Sequence, residues 1–138
     1  MCIRDRVYAK PLLAGPAPSC ADITGASAAY RDLLRIRTTE PAFGLTTPEA
    51  VQAALAFPLS GKDETPGVIT MTLGDLVVVF NATPEVRTQS LPALAGTAYT
   101  LHPVQAAGSD PVARQAAYDA TTGAFTTPAR TVAVFTRR

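Results

Sequence analysis

A chain of 138 residues can close one domain around its own core, and 47% hydrophobic against 17% charged residues excludes a disordered chain. The formal charge is only +1 with the basic residues scattered, so there is no electrostatic footprint for nucleic acid, and no stretch approaches the ~18 consecutive apolar residues of a membrane-spanning helix. Both cysteines, Cys2 and Cys20, precede the first clear element, which argues against a disulfide framework and makes Cys20 a free thiol.

The chain opens on "MCIRDR". This hexapeptide lacks the apolar centre of a signal peptide. It resembles a translated sequencing-adapter read, so residues 1–6 are read as a non-native segment, with a native terminus as the alternative. On the first reading Met1 is not a true start. "VYAKPLLAGPAPSC" (7–20) is rich in Pro, Gly and small residues and reads as an extended loop packed by Leu12 and Leu13. A helix is predicted over 22–38, with Asp22 or Thr24 as its cap. On a helical wheel Ala26, Ala29, Tyr30, Leu33, Leu34 and Ile36 fill an apolar arc of roughly 160°, where about 100° serves an ordinary surface helix. Arg31, Asp32 and Arg35 hold the other side. So broad a face implies contact with two bodies. Glu40 precedes Pro41 and so resists the α region, which ends the helix near Thr39.

From there the pattern turns to strands. "TTPEAV" (46–51) reads as a short helical turn, with Thr47 as cap and Pro48 at its first position. "AALAFPL", "SGKDETPG" and "VITMTLG" read as a hairpin with a loop of about seven or eight residues. Val68, Thr70 and Thr72 alternate with Ile69, Met71 and Leu73, the period of a half-buried strand. Gly74-Asp75 turns the chain. "LVVVFNA" (76–82) is nearly all apolar and is predicted as a central strand buried on both faces, closed by Asn81 and Pro84. "VRTQSL", "AYTLHPV", "QAAYDA", "AFTT" and "RTVAVFT" are further short strands, with one helical turn expected in "GSDPVAR". Six to eight short strands (roughly counted) with regular turn signals argue for an antiparallel β-sandwich.

Few residues offer chemistry. His102 is the only histidine, at a strand end in "YTLHPV" without partners at triad or metal spacing, and is read as making a local hydrogen bond. Of eleven carboxylates, only Asp63 and Glu64 are adjacent, in a hairpin loop where charge is expected. Glycoside hydrolysis needs two carboxyl groups held at fixed separation on rigid elements, and no such pair is legible. Tyr99, Tyr118 and Phe125 fall on strands. Core packing is the first expectation for them; Tyr99 and Tyr118 are the candidates for stacking an α-glucan, although the chain has no Trp. Asn81-Ala82-Thr83 matches a glycosylation sequon, but Pro84 follows and Asn81 is read as a turn residue. No phosphate loop, zinc spacing or nucleophile elbow is present, and no catalytic residue, metal ligand or cofactor is assigned.

"AYRDLLRIRTTEPAF", "ETPGVITMTLGDLVVVFNATPE", "YTLHPVQAAGSDPV" and "TTPARTVAVF", in this order, resemble the C-terminal end of pullulanase-type α-1,6-glucosidases, the starch-debranching enzymes of the α-amylase clan. The resemblance covers roughly residues 10–136. It implies that the helix is the last one of a catalytic (β/α)₈ barrel, that 7–40 end that barrel and that 41–138 form an all-β C-terminal domain. The helix would then lie between barrel and β domain, which fits its wide apolar arc. The family's catalytic carboxylates lie upstream of anything present here, so the chain is expected to be a non-catalytic fragment. Its partner would be the missing barrel of the same polypeptide, with α-glucan as the alternative partner through a binding-module role. The parent is expected to be secreted, periplasmic or surface-bound.

Overall fold

The computed structural model describes residues 9–11, 14–15, 17–62 and 64–137. Cys2, residues 1–6, Leu12, Leu13 and Asp63 lie outside them. Among the described residues the elements run α1 (Cys20–Thr39), a 3₁₀ turn (Pro41–Gly44), α2 (Pro48–Ala54), β1 (Leu55–Ala56), β2 (Val68–Leu73), β3 (Leu76–Asn81), β4 (Arg87–Ser90), a 3₁₀ turn (Pro92–Leu94), β5 (Tyr99–Leu101), α3 (Pro103–Ala106), a 3₁₀ turn (Ala113–Gln115), β6 (Ala117–Asp119), β7 (Ala124–Thr127) and β8 (Thr131–Arg137). Helix α1 starts earlier than predicted, because Ser19 is its cap. The Ser19 hydroxyl accepts the Asp22 amide at 3.2 Å, and the Asp22 carboxylate takes the Ser19 amide at 2.8 Å. Its end at Thr39 is set by Pro41 as expected. Thr47 caps α2 with Pro48 at its first position, also as expected.

All strand pairs are antiparallel, in two sheets ordered β1-β2-β3-β8-β5 and β4-β7-β6. This is the expected sandwich. The β2–β3 hairpin turns on Gly74-Asp75, with Gly74 at φ 57° supplying the left-handed conformation that a two-residue hairpin loop requires. The β1–β2 connection is longer than predicted. Only Leu55 and Ala56 pair, so it runs from 57 to 67.

Two apolar layers follow from strand alternation. Val77 and Val79 of β3 join Ala133, Phe135 and Tyr99 of their own sheet, Phe125 of the small sheet and Leu91 in one cluster. Val78 points the other way, to Val134 and the C-terminal half of α1 through Ile36, with Phe43, Met71 and Val104 alongside. Strand β3 is therefore buried on both faces from Leu76 to Val79, as its unbroken apolar run predicts. Gly123 lets β7 pass close to Leu91, whose amide donates to the Gly123 carbonyl at 2.9 Å; its φ is 70°, and a Cβ there would collide with the Leu91 carbonyl.

Candidate functional site

The first question is how α1 is fixed to the sheets. Ile36 is 1% exposed and seats the last turns against β3 and β8. Burying one such side chain contributes about 1.5–3 kcal/mol. Two polar clasps flank it. Glu40, the C-cap of α1, receives a hydrogen bond at 2.8 Å from Nε2 of His102. The His102 Nδ1 accepts the Val104 amide at 3.2 Å, so the ring proton sits on Nε2 and points at the Glu40 carboxylate. The local bond expected of His102 is present as the cap of α3; the 62-residue link to Glu40 is an addition that sequence spacing could not reveal. The second clasp is Asp32, which accepts the Ser109 amide at 2.8 Å and its hydroxyl at 2.9 Å. These bonds, the amide first, hold the Asp32 carboxyl below its ordinary range.

The rest of the helix face is open. Ile23, Tyr30, Leu33 and Leu34 are exposed by 58%, 63%, 37% and 42%. On the wheel Tyr30, Leu34 and Ile23 fall about 120–160° from Ile36, so the β domain covers one edge of the apolar arc and leaves the other in solvent. The uncovered helix face runs into a groove lined by Ala29, Leu33, Gln105, Arg130 and Val132. The groove measures about 200 Å³, below the ~300–1,000 Å³ of typical small-molecule sites. Beyond it, Arg130 and Val132 also line a shallow hollow with Phe80, and Phe80 pairs with Ile69, itself 50% exposed. Helix and sheet thus present one apolar corner.

Two buried amides finish the architecture. Strand β5 leaves β8 after Leu101, and the Gln105 side chain takes over its place in the ladder. It donates to the Val132 carbonyl at 2.7 Å and accepts the Val134 amide at 2.7 Å. Asn81, 2% exposed, closes the other end. Its Nδ2 contacts the Glu85, Pro128 and Thr127 carbonyls at 2.7, 2.8 and 3.2 Å, and its Oδ1 accepts the Thr83 amide and hydroxyl at 3.0 and 2.7 Å. More than a turn residue, Asn81 ties β3 to the β7–β8 turn; its sequon nitrogen is spent on these bonds.

Of the candidate glucan contacts, Tyr99 lies in the core and Tyr118 is half-buried against it. Tyr99 is 9% exposed and packs edge-on against Tyr118 and Phe125, with ring centroids 5.5 and 5.6 Å apart. Tyr118 stacks at a tilt on Phe125 at 4.5 Å and donates its hydroxyl to the Leu94 carbonyl at 2.6 Å. Burial pushes both phenols up from the usual tyrosine range. The rings are therefore engaged in joining the sheets. Several carboxylates are likewise locally committed. Ser19 lowers Asp22, first through its hydroxyl, and Thr122 lowers Asp119. Glu40 holds His102, and Arg87 pairs with Glu85 at 2.9 Å. Cys20, on the first turn of α1, is an exposed free thiol.

Two packed antiparallel sheets, fastened to a helix whose apolar face is half open, define a small β domain with one uncovered helix face. A family model described as alpha-1,6-glucosidases, pullulanase-type, C-terminal matches residues 5–138, and the chain belongs to that family. It is 35% identical to the chloroplastic pullulanase 1 of Arabidopsis thaliana over 91% of its length, and 30% identical to a pullulanase of Klebsiella pneumoniae over 85%. The crystal structure of PulA from Klebsiella oxytoca superimposes with a TM-score of 0.78 at 31% identity, covering 89% of this chain and 13% of that one. The chain spans 15% and 12% of the two curated relatives.

Proposed function

We propose that this chain is the non-catalytic C-terminal β domain of an enzyme that hydrolyses α-1,6-glucosidic linkages in pullulan or starch, and that it stabilises a catalytic (β/α)₈ barrel by covering its apolar wall. Residues up to about Glu40 are the end of that barrel, with α1 its last helix, and 41–138 are the β domain. One observation carries the reading: Ile36 is 1% exposed while Tyr30, on the same apolar arc, is 63% exposed. A face that wide with only one edge used is a face with a second partner. The reaction is assigned to the barrel, whose catalytic carboxylates the resemblance places upstream of these residues. Glucan stacking on Tyr99 or Tyr118 is the weaker reading, because both rings pack between the sheets.

Sizing chromatography tests this. The chain by itself should self-associate through the open helix face, and Tyr30→Asp with Leu34→Asp should return it to a monomer. A stable, monodisperse wild-type monomer at tens of micromolar, a working range of order 10⁻⁵ M, would contradict the proposal.

A further inference from the structure

Arg130 is the one described non-glycine residue with a positive φ, at 49°. An L-residue in this region pays for the conformation, and glycine or asparagine is the usual occupant. The backbone does need the turn: the Arg130 amide donates to the Thr83 carbonyl at 3.0 Å. It does not need an arginine, since glycine would make the same bond without strain. The arginine's head group has no ion pair among the described residues. The acidic side chains sharing its groove are Asp32 and Asp110. Asp32 is taken by Ser109, and Asp110 accepts the Val112 and Ala113 amides at 2.8 and 3.3 Å. Arg130 also stands where the two hollows of the apolar corner meet, with Leu33 in one and Phe80 in the other, and Val132 lining both.

We propose that Arg130 is the ionic anchor of the corner: its guanidinium pairs with a carboxylate of the catalytic region of the same polypeptide when that region seats on α1 and the open end of the large sheet. This rests on the reading that a barrel covers this face. The occupant follows from chain length and charge. The chain spans 15% of its curated plant relative, so a much longer region is available to fill the corner. An exposed cation whose groove carboxylates, Asp32 and Asp110, are already hydrogen-bonded elsewhere is matched by a carboxylate from outside, which the planar fork of arginine takes in two parallel bonds. Docking excludes water, so the pair formed there is stronger than one in solvent.

The test compares Arg130→Gly, Arg130→Lys and Arg130→Glu in this chain and in the complete parent polypeptide, by thermal unfolding and limited proteolysis. In this chain Arg130→Gly should raise the midpoint by about 3–6 °C, because left-handed strain is relieved. In the parent the same substitution should lower the midpoint, and Arg130→Glu should lower it further and speed cleavage ahead of Ser19. Arg130→Lys should fall between, keeping the charge but not the fork. If Arg130→Gly stabilises both forms equally, the anchor is wrong. Tyr30→Asp in the parent separates the two failures: if it loosens the parent while Arg130 variants do not, the covered face stands and only the anchor falls. If neither has an effect, the covered face falls too, and the anchor with it.

Discussion

Replacing Gln105 by alanine removes the side chain that substitutes for a strand. Two groups on β8 lose their partner: the Val134 amide, buried with its residue 3% exposed, and the half-buried Val132 carbonyl, each bonded at 2.7 Å. Water cannot reach the amide without opening the β8 edge beneath α1. An orphaned buried backbone group costs about 1–3 kcal/mol and a half-buried one less, so the variant should lose about 2–4 kcal/mol. In urea that moves the unfolding midpoint down by about 1–2 M at unchanged slope. Gln105→Glu sharpens the test. It keeps an acceptor for the Val134 amide but sets a carboxylate oxygen against the Val132 carbonyl. Only the protonated acid restores the donor, so the folded state raises this carboxyl's pKa. The deficit relative to wild type should then shrink at low pH and grow as pH rises through that value. A Gln105→Ala loss below about 0.5 kcal/mol, or a pH-independent Gln105→Glu deficit, would refute the reasoning.

Asn81→Ala should cost about 2–4 kcal/mol in equilibrium unfolding, because it strands the Glu85 and Pro128 carbonyls and the Thr83 amide together; Asn81→Asp, which loses both donors, should be no milder. Acid stability should follow the depressed aspartates. Their folded pKa values lie below 3.8, so the stability they contribute is present above that value and is lost as pH falls through the lower folded ones. Thermal midpoints between about pH 2 and 6 should therefore drop at the acid end, and Asp32→Asn should flatten that drop while lowering the midpoint near neutral pH.

What sequence could show was whatever depends on near neighbours. The apolar run of β3, the proline stop at Pro41, the proline start at Pro48 and the Gly74-Asp75 turn each act within a few residues, and each is found where expected. The width of the helix face was legible too, since 100° per residue is a property of the helix alone. The helix cap went to Ser19 rather than to Asp22 or Thr24, because Ser19 and Asp22 cap each other and the first turn starts directly after Ser19. Helix α3 was missed although Pro103 marks its start; four residues are too few to show a period. Gln105 could not be found at all, and Asn81 was legible only as a turn residue. Their roles depend on where β5 peels off β8 and where the β7–β8 turn closes, which are tertiary facts. Core packing was the first expectation for Tyr99 and Tyr118, but alternation did not supply it, as each sits on a three-residue strand too short to fix inside from outside.

Hydroxyl-radical footprinting of Tyr30, in this chain and in the complete polypeptide, tests most directly whether the open face of α1 is covered in the parent enzyme. Tyr30 should be modified readily in the chain when it is held dilute enough to be monomeric, where it is 63% exposed, and be protected several-fold in the parent. Equal modification in both would mean that nothing seats on this face, and the account would fail.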